Sequence, residues 1–242
     1  MIYMSIRKYI PGVLKNKIKS LFDYDKNRLT FLGNDRKENE LGKIQKDESV
    51  FLYGLIKVLR PKLVVEFGFL EGYSSSVILA ALNKSGILHS FDNTEYARQN
   101  AIKFSKDHSN FFFHYKNQQD FGALDVNNSK IDFVLIDASH DLEINKLTFQ
   151  QTKELLTTDS VIMIHDTGLW HRKFMEPDHF TCLETIEGRW LDDERVAHQI
   201  NERRFVNWIV ENYTDLAVIN FGSSNALRHG FSLVGSGKAL EV

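Results

Sequence analysis

Leu63-Val64-Val65-Glu66-Phe67-Gly68-Phe69-Leu70-Glu71-Gly72-Tyr73-Ser74 decides how the rest of the 242-residue chain reads. A short apolar run passes through one acidic residue into a glycine turn, and Tyr73-Ser74-Ser75 opens a helix behind it. That order leaves backbone N–H groups and a carboxylate at the carboxyl end of a strand, where open α/β sheets hold small ligands. The spacing is Glu-x-Gly-x-x-x-Gly-x-Ser, not the Gly-x-Gly-x-x-Gly that brings a pyrophosphate onto a helix N-terminus. A carboxylate two residues before the first glycine suits a ligand with an ammonium group and disfavours a dinucleotide. An ordinary strand–turn–helix with two turn glycines would carry the same letters, so the flanking chain has to decide.

On both sides the chain alternates strand-like and helix-like runs, the pattern of a doubly wound, mostly parallel sheet. The predicted strands are Leu63–Phe67, Ile87–Phe91, Phe111–Tyr115, Ile131–Ile136 and Val161–Ile164, followed by Leu216–Phe221 and Leu227–Val234. Helices are predicted over Glu48–Leu59, Ser74–Leu82, Glu95–Lys106, Glu143–Leu156 and Glu202–Tyr213. Unbroken apolar runs such as Phe133-Val134-Leu135-Ile136 fit strands covered on both faces. Residues 168–201 break the alternation and read as a substrate-facing insertion, where Trp170, His171, Arg172, His179, Trp190, His198 and Gln199 could line an acceptor. Arg228-His229-Gly230, at the start of the last strand, falls near the same rim.

Composition narrows the function classes. With 43% hydrophobic residues and 18 Phe the chain can build one large core, and its formal net charge of −2 argues against nucleic acid as a partner. The single cysteine, Cys182, excludes an internal disulfide and fits a reducing, cytoplasmic setting. No apolar run approaches the roughly 20 residues of a membrane-spanning helix. Residues 1–45 form a basic amphipathic segment, with Arg7, Lys8, Lys15, Lys17 and Lys19 interleaved with apolar positions and broken by Pro11. It reads as a cap on a domain spanning 46–242, with peripheral membrane contact as the alternative. A homo-oligomer is compatible with all of this.

Asp92 ends the second strand, where an acidic residue can accept from ribose hydroxyls or cap the next helix. Asp137 and Asp166 end the fourth and fifth strands and reach the same rim if those strands are neighbours. Two carboxylates there repel unless a cation lies between them, and a hard divalent ion, Mg2+ first, is the natural occupant. If the adjacent His165 also ligates, manganese, iron or zinc fits better.

The glycine stretch resembles the first motif of class I S-adenosylmethionine-dependent methyltransferases. Asp137-Ala138-Ser139-His140-Asp141 and Asp166-Thr167-Gly168-Leu169-Trp170 look like the two metal segments of the cation-dependent O-methyltransferases, and like the macrocin-type and cephalosporin-hydroxylase-like group. The likeness covers roughly residues 45–170. It implies a seven-stranded Rossmann-like sheet with an antiparallel last strand, and S-adenosylmethionine held by Glu66, Gly68, Gly72, Ser74, Asp92 and Asp137. Adenine would be read by Gln119 and Asp120 after the third strand. The metal set it implies is Asp137, Asp166 and His165, with Thr167 a further candidate. His140 stands where catechol-type enzymes have a lysine base, and an imidazole can act near neutral pH without a large shift. The activity expected is metal-assisted O-methylation of a small hydroxylated acceptor, a sugar or specialised metabolite. The alternatives are a cephalosporin-hydroxylase-like enzyme or a non-catalytic partner or membrane-surface protein on the same sheet. A β-branched residue at Gly68 is expected to block the ligand while sparing the sheet.

Overall fold

The computed structural model describes residues 44, 46–82, 85–167, 193–222 and 230–236, all within the unit Leu41–Val242. The basic segment other than Ile44, Cys182, the aromatic and histidine residues between 168 and 192, and Arg228 and His229 lie outside the described residues.

Alternation of apolar runs becomes α1 (Lys46–Leu59), β1 (Leu63–Phe67), α2 (Tyr73–Ala81), β2 (Ile87–Asp92), α3 (Glu95–Phe104), β3 (Phe111–Tyr115), β4 (Ile131–Ile136), α4 (Leu142–Lys153) and β5 (Leu156–His165). Then come α5 (Asp193–Asn212), β6 (Leu216–Gly222) and β7 (Gly230–Ser236). The seven strands lie in the order β3-β2-β1-β4-β5-β7-β6. Strands β1 to β5 are parallel, and β7 runs antiparallel between β5 and β6. The antiparallel last strand is therefore as expected.

Side chains alternate across the sheet, which sorts β1 into two faces. Leu63, Val65 and Phe67 join Val134, Ile136, Ile162 and Ile164 in a core closed by Phe149 of α4 and by Phe205, Val206 and Ile209 of α5. Val64 and Glu66 take the opposite face, where Glu66 meets the serines that open α2. Local signals set the helix starts. Thr94 caps α3 by accepting from Ala97 N, and Asp141 caps α4 by accepting from Glu143 N and Ile144 N.

The largest departures from the expected bounds are at the α4–β5 junction and at the start of α5. Helix α4 stops at Lys153, and β5 begins at Leu156 with a polar, exposed run, Thr157-Thr158-Asp159, that hides its strand character. Helix α5 begins at Asp193, nine residues before the predicted start, because the added turns are charged and carry no clean apolar stripe. The carboxyl end of the expected insertion is thus helical and continuous with the core-packing helix.

Candidate active site

Strand order reverses between β1 and β4, and ligands in such sheets bind outside the carboxyl ends at that switch point. A cavity of about 640 Å³ lies there. Its wall includes Gly68, Ser74, Asp92, Gln119, Asp137, His140, His165 and Asp166, which brings eight of the twelve cofactor, metal and base candidates to one place.

The glycine turn is held from three sides. Gly68 (φ 102°) and Gly72 (φ 80°) both need the left-handed backbone that glycine adopts without strain. Asp92 Oδ2 accepts from Phe69 N at 3.1 Å and Leu70 N at 3.0 Å, while its Oδ1 accepts from the backbone and hydroxyl of Thr94. From α3, Tyr96 donates to Glu71 and Asn100 donates to the Leu70 carbonyl. At Gly68 a Cβ would overlap the carbonyl oxygen of Asp137, and that changes the expectation for substitution. A larger residue would drive β1 away from the end of β4 before it ever reached a ligand.

Glu66 does not line the cavity. It is fully buried and accepts from the hydroxyls of Ser74 (2.5 Å), Ser90 (2.6 Å) and Ser75. Its part in any ligand contact is therefore indirect, through Ser74 on the wall. Burial pushes the Glu66 carboxyl up to about 7 against the lowering effect of the three hydroxyls. A raised carboxyl favours the folded state when protonated. That contribution is complete below the ordinary glutamate value, about 4.3, and is lost as pH rises through about 7. Thermal unfolding should show Glu66→Gln gaining on wild type between pH 5 and 8, by an amount on the order of 3 kcal/mol. Parallel pH profiles for the two proteins would exclude a buried titrating Glu66.

Asp166 sits at φ 57°, a conformation that Asp and Asn tolerate better than other side chains. One ligand-capable atom each from Asp137, Asp166 and His140 lie within 4.8 Å of one another. His165, expected from the sequence as a further ligand, lines the same cavity with both ring nitrogens facing carboxyl groups. Its Nε2 lies 3.0 Å from Glu48 Oε2, and its Nδ1 lies 3.1 Å from Asp137 Oδ1 and 3.5 Å from Asp166 Oδ1. Burial alone would lower the ring's pKa, but Asp137, Glu48 and Asp166 outweigh it and hold it well above the ordinary value. Each ring nitrogen thus faces a carboxyl oxygen, and those carboxyl groups favour the charged ring that donates from both. Thr167 is turned away, its buried hydroxyl accepting from Ser232 within the sheet.

His140 Nδ1 lies 3.0 Å from Glu202 Oε1. Burial raises Glu202 to about 7, and His140 is raised by Glu202 and by Asp166 and Asp137 against its own burial. Both shifts describe one proton kept on the pair, which titrates as a unit. On the opposite wall, Gln119 lines the cavity, whereas Asp120 is exposed and outside the lining. The neighbouring Gln118 is buried and bonded to Ser139 N, Asn145 and Thr148.

Glu48 and Glu202 were missed in the sequence. Each lies on a helix, where it reads as a surface charge, and meets its histidine across 117 and 62 positions respectively.

Residues 65–167 match a methyltransferase domain family. Among curated proteins, none matches the sequence. The fold is similar to that of the O-methyltransferase TomG from Streptomyces achromogenes, involved in tomaymycin synthesis and solved with SAM. That likeness has a TM-score of 0.60 at 17% identity, over 87% of this chain and 96% of TomG. An O-methyltransferase from Bacillus cereus in complex with SAH gives a TM-score of 0.59 at 17% identity, over 94% of this chain and 92% of its own. The SAH-bound methyltransferase PaMTH1 of Podospora anserina gives 0.60 at 12%, over 95% and 98%. The fold is thus the one these methyltransferases share, and the methyltransferase-domain match runs from within β1 to just past the end of β5.

Proposed function

We propose that the chain is a divalent-cation-assisted O-methyltransferase that methylates a hydroxyl of a small hydroxylated acceptor, a sugar or specialised metabolite. The observation that carries this reading is the grouping of Asp137, His140 and Asp166 on the wall shared with the glycine turn and Asp92. S-adenosylmethionine supplies a methyl group that is already activated, so positioning dominates what the protein must do. Gly68, Gly72, Ser74, Asp92, Gln119 and Asp137 would hold it, with Glu66 fixing Ser74 from behind. Asp92 already accepts four hydrogen bonds, so ribose hydroxyls would have to displace some of its present donors.

Asp137 and Asp166 are the residues that would hold the cation. Around them the carboxyl groups of Glu48, Asp137 and Asp166 gather at His165, an acidic setting that suits a divalent ion. The donors of Asp137 and Asp166 are oxygens, which favours Mg2+. When bound, such an ion makes an acceptor hydroxyl more acidic. His140 then takes the hydroxyl proton. The fields of Asp137 and Asp166 help to keep a proton on it, and neutralising them returns the ring toward the basic, neutral form.

The test is transfer of labelled methyl from S-adenosylmethionine to a panel of catechols, flavonoids and monosaccharides, with Mg2+, Mn2+ or EDTA. Transfer should require metal, while S-adenosylhomocysteine binding by calorimetry survives EDTA. No binding of S-adenosylhomocysteine would remove the methyltransferase reading, and transfer indifferent to EDTA would remove the metal. His140→Ala should slow transfer by about 10²–10⁴-fold with little change in S-adenosylhomocysteine affinity. A loss below about tenfold would make His140 a loop residue only.

A further inference from the structure

We infer that Glu202 is a positioning residue for His140, and that helix α5 locks the imidazole in one orientation with its proton on Nδ1 and its basic nitrogen at Nε2. The inference rests on the proposed role of His140 and adds how that role is built. Two consecutive residues of α5 grip the same histidine. Asn201 Nδ2 donates to the His140 carbonyl at 3.0 Å, and Glu202 Oε1 takes the ring at Nδ1.

The grip closes into a buried circuit. Asn145 Nδ2 of α4 donates to the same Glu202 Oε1 at 2.9 Å, and Gln118 Nε2 donates to Asn145 Oδ1 at 2.9 Å. Gln118 Oε1 then accepts from Ser139 N at 2.8 Å, next to His140 itself. Glu202, Asn145 and Gln118 are all buried, so no water competes freely for these groups, and each broken link leaves an orphaned polar atom. Glu202 is buried and outside the cavity lining, so whatever it does for the chemistry passes through His140. A carboxylate at one ring nitrogen selects the tautomer and raises the basicity of the other. An imidazole without such a partner prefers no fixed face and rotates, which costs orientation at the acceptor oxygen. The circuit also ties Gln118, at the end of β3 where the cofactor side of the cavity begins, to the residue proposed to take the proton.

The experiment is two-bond nitrogen–proton NMR on the full chain with 15N-labelled histidine, at a pH where His140 is neutral, its signals assigned with His140→Gln. The wild type should show His140 as the Nδ1–H tautomer. Glu202→Ala should move it to the Nε2–H form or a mixture, while Glu202→Gln, whose amide oxygen can still accept from Nδ1–H, should restore most of the wild-type pattern. Asn145→Ala gives a second variant that keeps Glu202, and a partial shift is expected there. Thermal unfolding and S-adenosylhomocysteine calorimetry on each variant confirm an intact fold and cofactor side. An unchanged tautomer in a folded Glu202→Ala protein would overturn the inference. A shifted tautomer in a protein that methylates nothing would uphold the inference while defeating the proposed function.

Discussion

Gly68→Ala is expected to destabilise the chain by more than about 3 kcal/mol and to abolish S-adenosylhomocysteine binding in whatever folded protein remains. Two costs add at this position. Holding a non-glycine residue at positive φ costs about 1–3 kcal/mol, and forcing atoms into a packed site costs about 1–3 kcal/mol more. Here the new Cβ meets main chain, the Asp137 carbonyl and the Ala138 Cα, which cannot swing aside as a side chain would. Because Gly68 N donates to Phe91 O and Asp137 N donates to Phe67 O, relief of the overlap must pull on β2 and β4 together. Gly54 is the control. It lies exposed in α1 with nothing within 4 Å of an added Cβ, so Gly54→Ala should be neutral or stabilising by up to about 1 kcal/mol. Denaturant unfolding and calorimetry measure both effects. A Gly68→Ala protein as stable as wild type, with its binding intact, would mean the β1–β4 junction is not built this way.

The strands were legible because each is short, apolar and bounded by polar turns. β1, β3 and β4 fall on the residues the pattern predicts, and the rim positions of Asp92, Asp137 and Asp166 follow from where those runs end. The less legible half is the set of partners that fix each rim residue. Glu66 reads as a ligand group because it precedes the glycines, yet it shares a face with Val64, and the three serines that saturate it come from two other elements. His165 reads as a ligand because it adjoins Asp166, yet its Nε2 is met by Glu48, contributed by a helix 117 positions earlier. Both arrangements come from tertiary contacts between polar side chains, and local periodicity carries no information about those. His140 differs. Its spacing from Asp137 marked it, and the structure adds the reason such a residue would be held in place.

Asp137→Asn and Asp166→Asn are each expected to weaken divalent-cation binding by more than about a hundredfold, beyond the 10–100-fold that losing an outer partner costs. The amide replaces a charged oxygen donor by a neutral one in a small set of hard ligands. Asparagine is the right probe at Asp166 because it tolerates φ 57°, so backbone strain does not confuse the reading as it would with alanine. The two variants should then part company in stability. Asp137 carries the 3.1 Å bond to the buried His165, and its loss leaves a buried imidazolium with one fewer carboxylate. Breaking one partner of a buried pair costs about 3–5 kcal/mol, and the amide oxygen, which still accepts a hydrogen bond, should hold the loss at Asp137 to the low end. Asp166 lies farther from that ring, at 3.5 Å, and should cost less. Mn2+ titration followed by electron paramagnetic resonance reads the affinity, and thermal unfolding with and without Mg2+ reads the stability. Wild type should gain stability with Mg2+ and neither variant should. Equal Mn2+ affinity in all three proteins would place any bound cation away from this rim, and the carboxylate pair would then serve only to hold His165.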